Sequence, residues 1–162
     1  MIEVRVNRKT TMKVLLATDG TGNSEAALAA LDLLGLKSGD EVEIVSVIEP
    51  LYPGVLDIYG GYLPDMEELM TKERDVAMAF LSEAAKKAGS LTERKGVAIK
   101  TEALSGSPDS AIVERAEETG ADLIIVGSHG YRAWERLLIG SVSDSVVHHA
   151  PCSVMVVKTP RV

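Results

Sequence analysis

Short apolar runs alternate along the chain with longer segments in which apolar residues recur every three or four positions. The runs predict five strands, over residues 12–18, 41–48, 96–104, 123–126 and 154–157. The fourth and fifth runs are apolar throughout, which is typical of strands buried in a parallel sheet. Because strands and helical segments alternate strictly, the chain predicts an α/β, Rossmann-like fold with a single doubly wound, parallel, five-stranded sheet.

Four amphipathic helices are predicted between the strands, over residues 21–34, 64–88, 108–119 and 141–150. Their expected core-facing residues are Ala26, Ala27, Ala30, Leu31 and Leu34 in the first, Val76, Phe80, Ala84 and Ala88 in the second, Ile112, Val113 and Ala116 in the third, and Val142, Val146, Val147 and Ala150 in the fourth. Gly35 and Gly120 stand where the first and third helices are expected to end.

The most informative pattern follows the fourth strand and reads Gly127-x2-Gly130-x9-Gly140-Ser141. The chain is expected to leave the sheet at Gly127 in a sharp turn with a positive φ, and Gly130 can adopt a positive φ as well. Ser141 or Ser143 can cap the helix that follows. Free amides and the helix dipole make such a helix start a favourable phosphate-binding site. A turn with a purely structural role is the alternative.

The expected strand order is 3-2-1-4-5, which places the first and fourth strands side by side. In such sheets ligands bind at the carboxyl ends of the strands, where the order reverses. Asp19, at the end of the first strand, would then face Gly127 at the end of the fourth. Asp19 can also serve only to cap its own turn.

Composition narrows the classes of function. The 162 residues fit one domain, and a net charge of -7 disfavours nonspecific binding to DNA or RNA. The single cysteine, Cys152, excludes an internal disulfide and a cysteine-cluster metal site, and a small buried side chain is favoured over a redox role. His148 and His149 end a predicted helix, where they favour its dipole; no ligand cluster of suitable spacing predicts a metal site.

Two segments fall outside the regular pattern. Residues 1–11 alternate apolar and charged positions and are interpreted as an edge strand, a dimer element or a disordered lead to the domain at 12–162. Residues 49–63 carry prolines, glycines and tyrosines, and form either a functional flap or interface patch or plain core packing. Nothing resembles a signal peptide or a membrane span, which predicts a cytoplasmic protein with no membrane partner.

Residues 12–158 resemble the universal stress protein family, in its ATP-binding branch. The resemblance is carried by the glycine pattern with Pro151 and the closing VMVVK run, and by three further segments. These segments are 17–20 with Ser24 and 26–28, the second-strand end 45–49, and the passage 106–127. The resemblance implies an ATP-binding, stress-response homodimer that pairs through the last strand at 154–157 and hydrolyses ATP slowly or not at all.

The resemblance also implies which residues meet the nucleotide. Ala17, Thr18 and Asp19 would lie along the nucleoside, and Val47 would meet adenine through its backbone. The phosphates, with Mg or Mn held by them, would be bound by Gly127, Gly130, Gly140, Ser141, Val142 and Ser143. Around the second glycine, an exposed Arg132 is favoured over a phosphate contact, and packing of Trp134 over adenine stacking.

Two other functions are weighed against this one. An adenylate-forming or nucleotide-hydrolysing enzyme should carry a catalytic lysine or a Walker motif, and the sequence has no G-x4-G-K-[ST]. A family module that acts only through protein contacts would be expected to lose the glycines, which are intact here. No catalytic residue is therefore predicted.

Overall fold

A computed structural model describes residues 11–20, 22–50, 66–92, 96–128 and 140–158. The strands are β1 (Lys13–Ala17), β2 (Glu41–Ile48), β3 (Ala98–Ser105), β4 (Leu123–Gly127) and β5 (Ser153–Val157). The helices are α1 (Gly22–Ala30), continued by a 3-10 turn at Leu31–Leu34, α2 (Met66–Thr92), α3 (Pro108–Thr119) and α4 (Ser141–His149). All strand pairs are parallel and the order is β3-β2-β1-β4-β5, which confirms the predicted topology.

The sheet separates two hydrophobic layers. Neighbouring residues of β1 point to opposite sides, so Leu16 belongs to the layer under α1 and α2, and Leu15 to the layer under α3 and α4. Leu81 of α2 and Ile112 of α3 are the helical counterparts in these layers. Burial of the sheet on both faces explains why its central strands are apolar runs rather than alternating ones.

The predicted inner face of α2 is wrong by one residue at its centre. Val76 and Phe80 are 53% and 39% exposed, whereas Ala77 and Leu81 are 6% and 1% exposed. Ala84 and Ala88 are buried as predicted, and the helix continues beyond Ala88 to Thr92. Val76 with Phe80, and Ala77 with Leu81, are two sets of apolar residues with helical spacing on adjacent faces of α2. The set that packs against the sheet is Ala77 with Leu81, which has the smaller side chains.

Other expectations for the helix faces have mixed outcomes. Ala27, Ala30, Leu31, Ile112, Ala116 and Val146 are buried as predicted. Val147 of α4 is 45% exposed, against its predicted place in the core. Gly35 and Gly120 end their helices in the left-handed conformation, as predicted.

The two apolar runs that bracket the glycine pattern differ in burial. Leu123 through Val126 are buried, as predicted, because β4 lies inside the sheet. Val154 through Val157 are only half-buried, which corrects the prediction of a second buried strand. The physical reason is position: among the described strands, β5 stands at the edge of the sheet and pairs only with β4.

The predictions for residues 1–10 and for most of the 49–63 segment lie outside the described residues, and they stay predictions. Within the described ranges, no helix combines the length and the apolar character needed to cross a bilayer.

Candidate functional site

The ends of β1 and β4 form the point at which the strand order reverses. The two strands are direct neighbours, with Leu16 opposite Ile125 in the register. The chain leaves β1 toward β2 on one side and leaves β4 toward β5 on the other, so the outgoing segments diverge. Divergence of this kind opens a crevice at the carboxyl end of a parallel sheet.

One wall of the crevice is the turn that follows β1. Thr18 is 7% exposed, and its amide donates to the carbonyl oxygen of Val45 at 2.8 Å. Its Oγ1 accepts from the amide of Gly20 at 3.3 Å, and Gly20 has a φ of +74°. Thr18 therefore fixes the turn, while Asp19 between them is exposed. Ala17 is half-buried at the end of the strand.

Val47 belongs to the neighbouring strand, at its carboxyl end. It is half-buried and pairs in register with Leu104 of β3. The carbonyl of Ile48, the next residue, accepts from the amide of Gly106 at 3.1 Å, which joins the end of this strand to the turn after β3.

The other wall is the start of α4. Gly140 is the N-cap residue, with φ -72° and ψ 159°, and the first helical hydrogen bond runs from the amide of Asp144 to its carbonyl, at 2.9 Å. The amides of Ser141, Val142 and Ser143 precede that bond and have no partner within the helix. With the positive end of the helix dipole, these three amides suit an anionic group.

The predicted serine cap of α4 is not formed. The helix start has no side-chain capping bond; instead, Ser143 Oγ donates to the carbonyl of Gly140 at 2.9 Å. Ser143 is 3% exposed, whereas Ser141 is exposed. The amides that a cap would have used are left to another acceptor.

The glycines of the pattern have different outcomes. Gly127 is the last residue of β4 and is not among the positive-φ glycines, so the prediction of a sharp turn there is wrong. The strand simply continues through Gly127, which pairs with Val157 of β5. Gly140 is extended rather than left-handed. Gly130, with Arg132 and Trp134, lies outside the described residues.

Ser128 is a structural residue that the sequence pattern did not reveal. It is 2% exposed, and its amide donates to Val157 at 2.8 Å. Its carbonyl accepts from the amide of Gly140 at 2.6 Å and, at 3.4 Å, from Ser143 Oγ. Ser128 thus joins the end of β4 to the start of α4. Only its place directly after Gly127 could have pointed to it.

The remaining titratable candidates have local structural roles. His148 and His149 lie in the last turn of α4, each with Nδ1 2.8 Å from the carbonyl four residues earlier. Among the residues that the structure describes, no three His, Cys, Asp or Glu side chains are grouped so that they could hold a metal ion. Cys152 is half-buried, and burial, with the charge of Asp122 second, raises the pKa of its thiol.

A separate depression of about 220 Å³ lies at the opposite, amino end of the strands. Most of its charged lining residues are paired with each other. Arg115 Nη2 bonds Glu43 at 2.5 Å, and Lys100 Nζ bonds Glu41 at 3.0 Å. These pairs tie α3 to β2 and β2 to β3, while Lys13 Nζ, which also lines the depression, donates to the carbonyl of Thr119 at 3.1 Å.

Comparison with known proteins identifies the family to which this fold belongs. The family model described as "Universal stress protein family" matches residues 10–158. The chain belongs to the universal stress protein family. Among its relatives, universal stress protein MJ0531 of Methanocaldococcus jannaschii is 38% identical over 151 residues, which cover 92% of this chain and 83% of the relative.

Solved structures of the universal stress protein fold are also similar. The hypothetical protein MJ0577 is 28% identical, with a TM-score of 0.77 over 93% of this chain and 97% of that one. A universal stress protein in complex with cAMP is 26% identical, with a TM-score of 0.61 over 90% of this chain and 95% of that one. The resemblance deduced from the glycine pattern is therefore confirmed at the level of the family.

Proposed function

We propose that this protein binds ATP in the crevice between the ends of β1 and β4. The observation that carries the proposal is the start of α4, where the amides of Ser141, Val142 and Ser143 are available to an acceptor. Membership of the universal stress protein family supports it, as does the relative that is complexed with cAMP.

The proposed roles of the residues follow the family resemblance. Ala17, Thr18 and Asp19 lie along the nucleoside, with Asp19 toward the ribose or a phosphate-bound metal, and the backbone of Val47 meets adenine. Gly127, Gly130, Gly140, Ser141, Val142 and Ser143 surround the phosphates, which hold Mg or Mn. Because the amide of Thr18 donates to Val45 of β2 and its Oγ1 accepts from Gly20, Thr18 also shapes the wall along which the nucleoside lies.

The proposed activity is regulatory rather than catalytic. The sequence has no Walker lysine, so stabilisation of a transferring phosphoryl group would be weak and hydrolysis slow or absent. A nucleotide that is held without turnover can shift a protein between partners or conformations. We infer a cytoplasmic stress-response protein whose state depends on bound ATP.

The proposed assembly is a homodimer through the outer edge of β5. The carbonyl of Val157 accepts from Ser128, so Val157 faces β4, and by alternation Val154 and Val156 present their amides outward. Half-buried valines beside a strand edge that no other described strand pairs form a surface that soluble proteins usually cover. A second copy of the strand, paired across a two-fold axis, covers it.

The test begins with ligand gently released from the purified protein and identified by mass spectrometry. Equilibrium binding of labelled ATP, with cAMP and AMP as competitors, then establishes the preferred nucleotide. Phosphate release followed over several hours measures turnover. Tight ATP binding with little release is expected. Rapid phosphate release would favour a nucleotide-hydrolysing enzyme. Tighter binding of cAMP than of ATP would mean that cAMP is the ligand. If no nucleotide binds, the protein is better described as a module that acts only through protein contacts.

A further inference from the structure

A carboxylate on α3 is bound directly to α4. Asp109 lies in the first turn of α3, and its Oδ2 accepts from Ser145 Oγ at 2.8 Å. Its other oxygen, Oδ1, accepts from Ser107 Oγ at 2.6 Å. Asp109 and Ser145 are both half-buried. The bond to Ser107 stays within the start of α3, but the bond to Ser145 joins two helices across 36 positions of sequence.

The donor direction of this bond is fixed by charge. The two hydroxyl donors, Ser107 first and Ser145 second, lower the pKa of Asp109 from its ordinary value, so the group is an anion near neutral pH. A carboxylate can only accept, so the hydroxyl of Ser145 must donate to it. Hydrogen bonds with one charged partner are about twice as strong as neutral ones.

Ser145 lies one turn beyond Ser141 on α4, so the bond holds the same part of the helix that bears the available amides. The same part of α4 is also held at its start, where the amide of Gly140 donates to the carbonyl of Ser128 at 2.6 Å. The amides of Ser141, Val142 and Ser143 lie between these two attachments. An anion site made of main-chain amides has no long side chain with which to adjust, so its geometry is that of the helix.

We propose that Asp109 is a positioning residue for the phosphate site, because through Ser145 it fixes the orientation of the first turns of α4. The inference rests on the proposed ATP binding and deepens it. Asp109 does not touch the nucleotide; it acts on the three amides that do. The ordinary role of an aspartate at a helix start is to accept from backbone amides of the first turn, and that role does not account for the bond to Ser145 of another helix.

The test compares ATP with adenosine in equilibrium binding to the full chain. Asp109→Ala and Ser145→Ala are each expected to weaken ATP binding about tenfold, the size expected when a bond to a charged group is lost. Adenosine affinity should stay within about twofold, because the nucleoside wall on β1 and β2 is not involved. A role in stability alone would not change the ratio of the two affinities. Ser110→Ala, which removes an exposed hydroxyl beside Asp109, is the matched control.

Two further measurements keep the outcomes distinct. Asp109→Asn retains one acceptor oxygen for two hydroxyl donors, so it should restore part of the ATP affinity lost in Asp109→Ala. Hydrogen exchange without nucleotide should be faster over residues 144–149 in Ser145→Ala and unchanged in β4. If wild-type protein binds no nucleotide while exchange still rises, the proposed function is wrong and the anchoring role stands. An unchanged ATP-to-adenosine ratio in a variant of a protein that binds ATP would overturn the inference.

Discussion

Phe80 occupies the space that a side chain at Gly20 would need. A Cβ built on Gly20 would lie 2.6 Å from the nearest ring carbon of Phe80, and the glycine has a φ of +74°. The only phenylalanine of the chain therefore packs from α2 onto the turn that follows β1, beside Asp19. This contact explains why Phe80 is partly exposed instead of joining the core.

Replacing Gly20 with alanine should lower the free energy of unfolding by about 1–3 kcal/mol, because both the backbone conformation and the ring oppose a side chain there. Urea denaturation measures the change. Gly89→Ala is the matched control: it lies inside α2 with no atom within 4 Å of the new methyl group, so it should stabilise by about 0.5–1 kcal/mol. In Gly20→Ala/Phe80→Ala the steric part should disappear, and fully additive losses would show that the ring contributes nothing to the strain.

Gly130→Val should abolish ATP binding and leave the fold intact. A β-branched side chain at the second glycine of the pattern would prevent close approach of the backbone to the phosphates. Binding of labelled ATP and circular dichroism measure the two effects, with Gly89→Ala as a variant that retains wild-type affinity. Unchanged affinity in Gly130→Val would mean that the phosphates bind elsewhere.

Val156→Pro should convert the proposed dimer into a monomer that is still folded. The amide of Val156 points away from β4, so proline removes a donor only from the outer edge of β5. Sedimentation velocity measures the mass. Met155→Pro is the contrasting variant, because its amide faces β4 and its loss should destabilise the monomer itself. A dimer that survives in Val156→Pro would place the interface on another surface.

Alkylation of Cys152 should be slow in the native protein. Burial raises the pKa of this thiol, so the thiolate, which is the reacting form, is scarcer at a given pH than in an unfolded chain. The rate with iodoacetamide should rise with pH through an inflection above the ordinary value, and it should increase in urea. The label is unambiguous because the chain has one cysteine, and Cys152→Ser should take up none. Equal rates in native and unfolded protein would contradict the burial.

The topology could be predicted from the sequence because β1 and β4 are nearly continuous apolar runs and each connection contains a segment with helical periodicity. The same reasoning assigned the wrong face to part of α2. Val76 and Phe80 are larger and more hydrophobic than Ala77, so a prediction from periodicity favours them as core residues. The space between α2 and the sheet instead accommodates the smaller Ala77. Phe80 instead packs on Gly20, which lies in a turn that is distant from it in the sequence.

The candidate site was only partly accessible to sequence reasoning. Glycine followed by a helix start predicts available amides, and those of Ser141 and Ser143 are placed accordingly. The contacts that hold them could not be predicted, because Ser128 and Asp109 reach α4 through the fold rather than along the chain. Serine and aspartate are common in loops, so nothing in their local sequence distinguishes these two.

The hydrogen bond between Ser128 and Gly140 also has a consequence for protein engineering. It fastens together the two points at which the chain leaves β4 and enters α4. Because its donor and its acceptor are both main-chain atoms, this bond does not require a particular side chain at either position, apart from the exclusion of proline at position 140. The junction therefore offers a fixed frame on which residues at the start of α4 can be substituted while the end of the sheet stays unchanged.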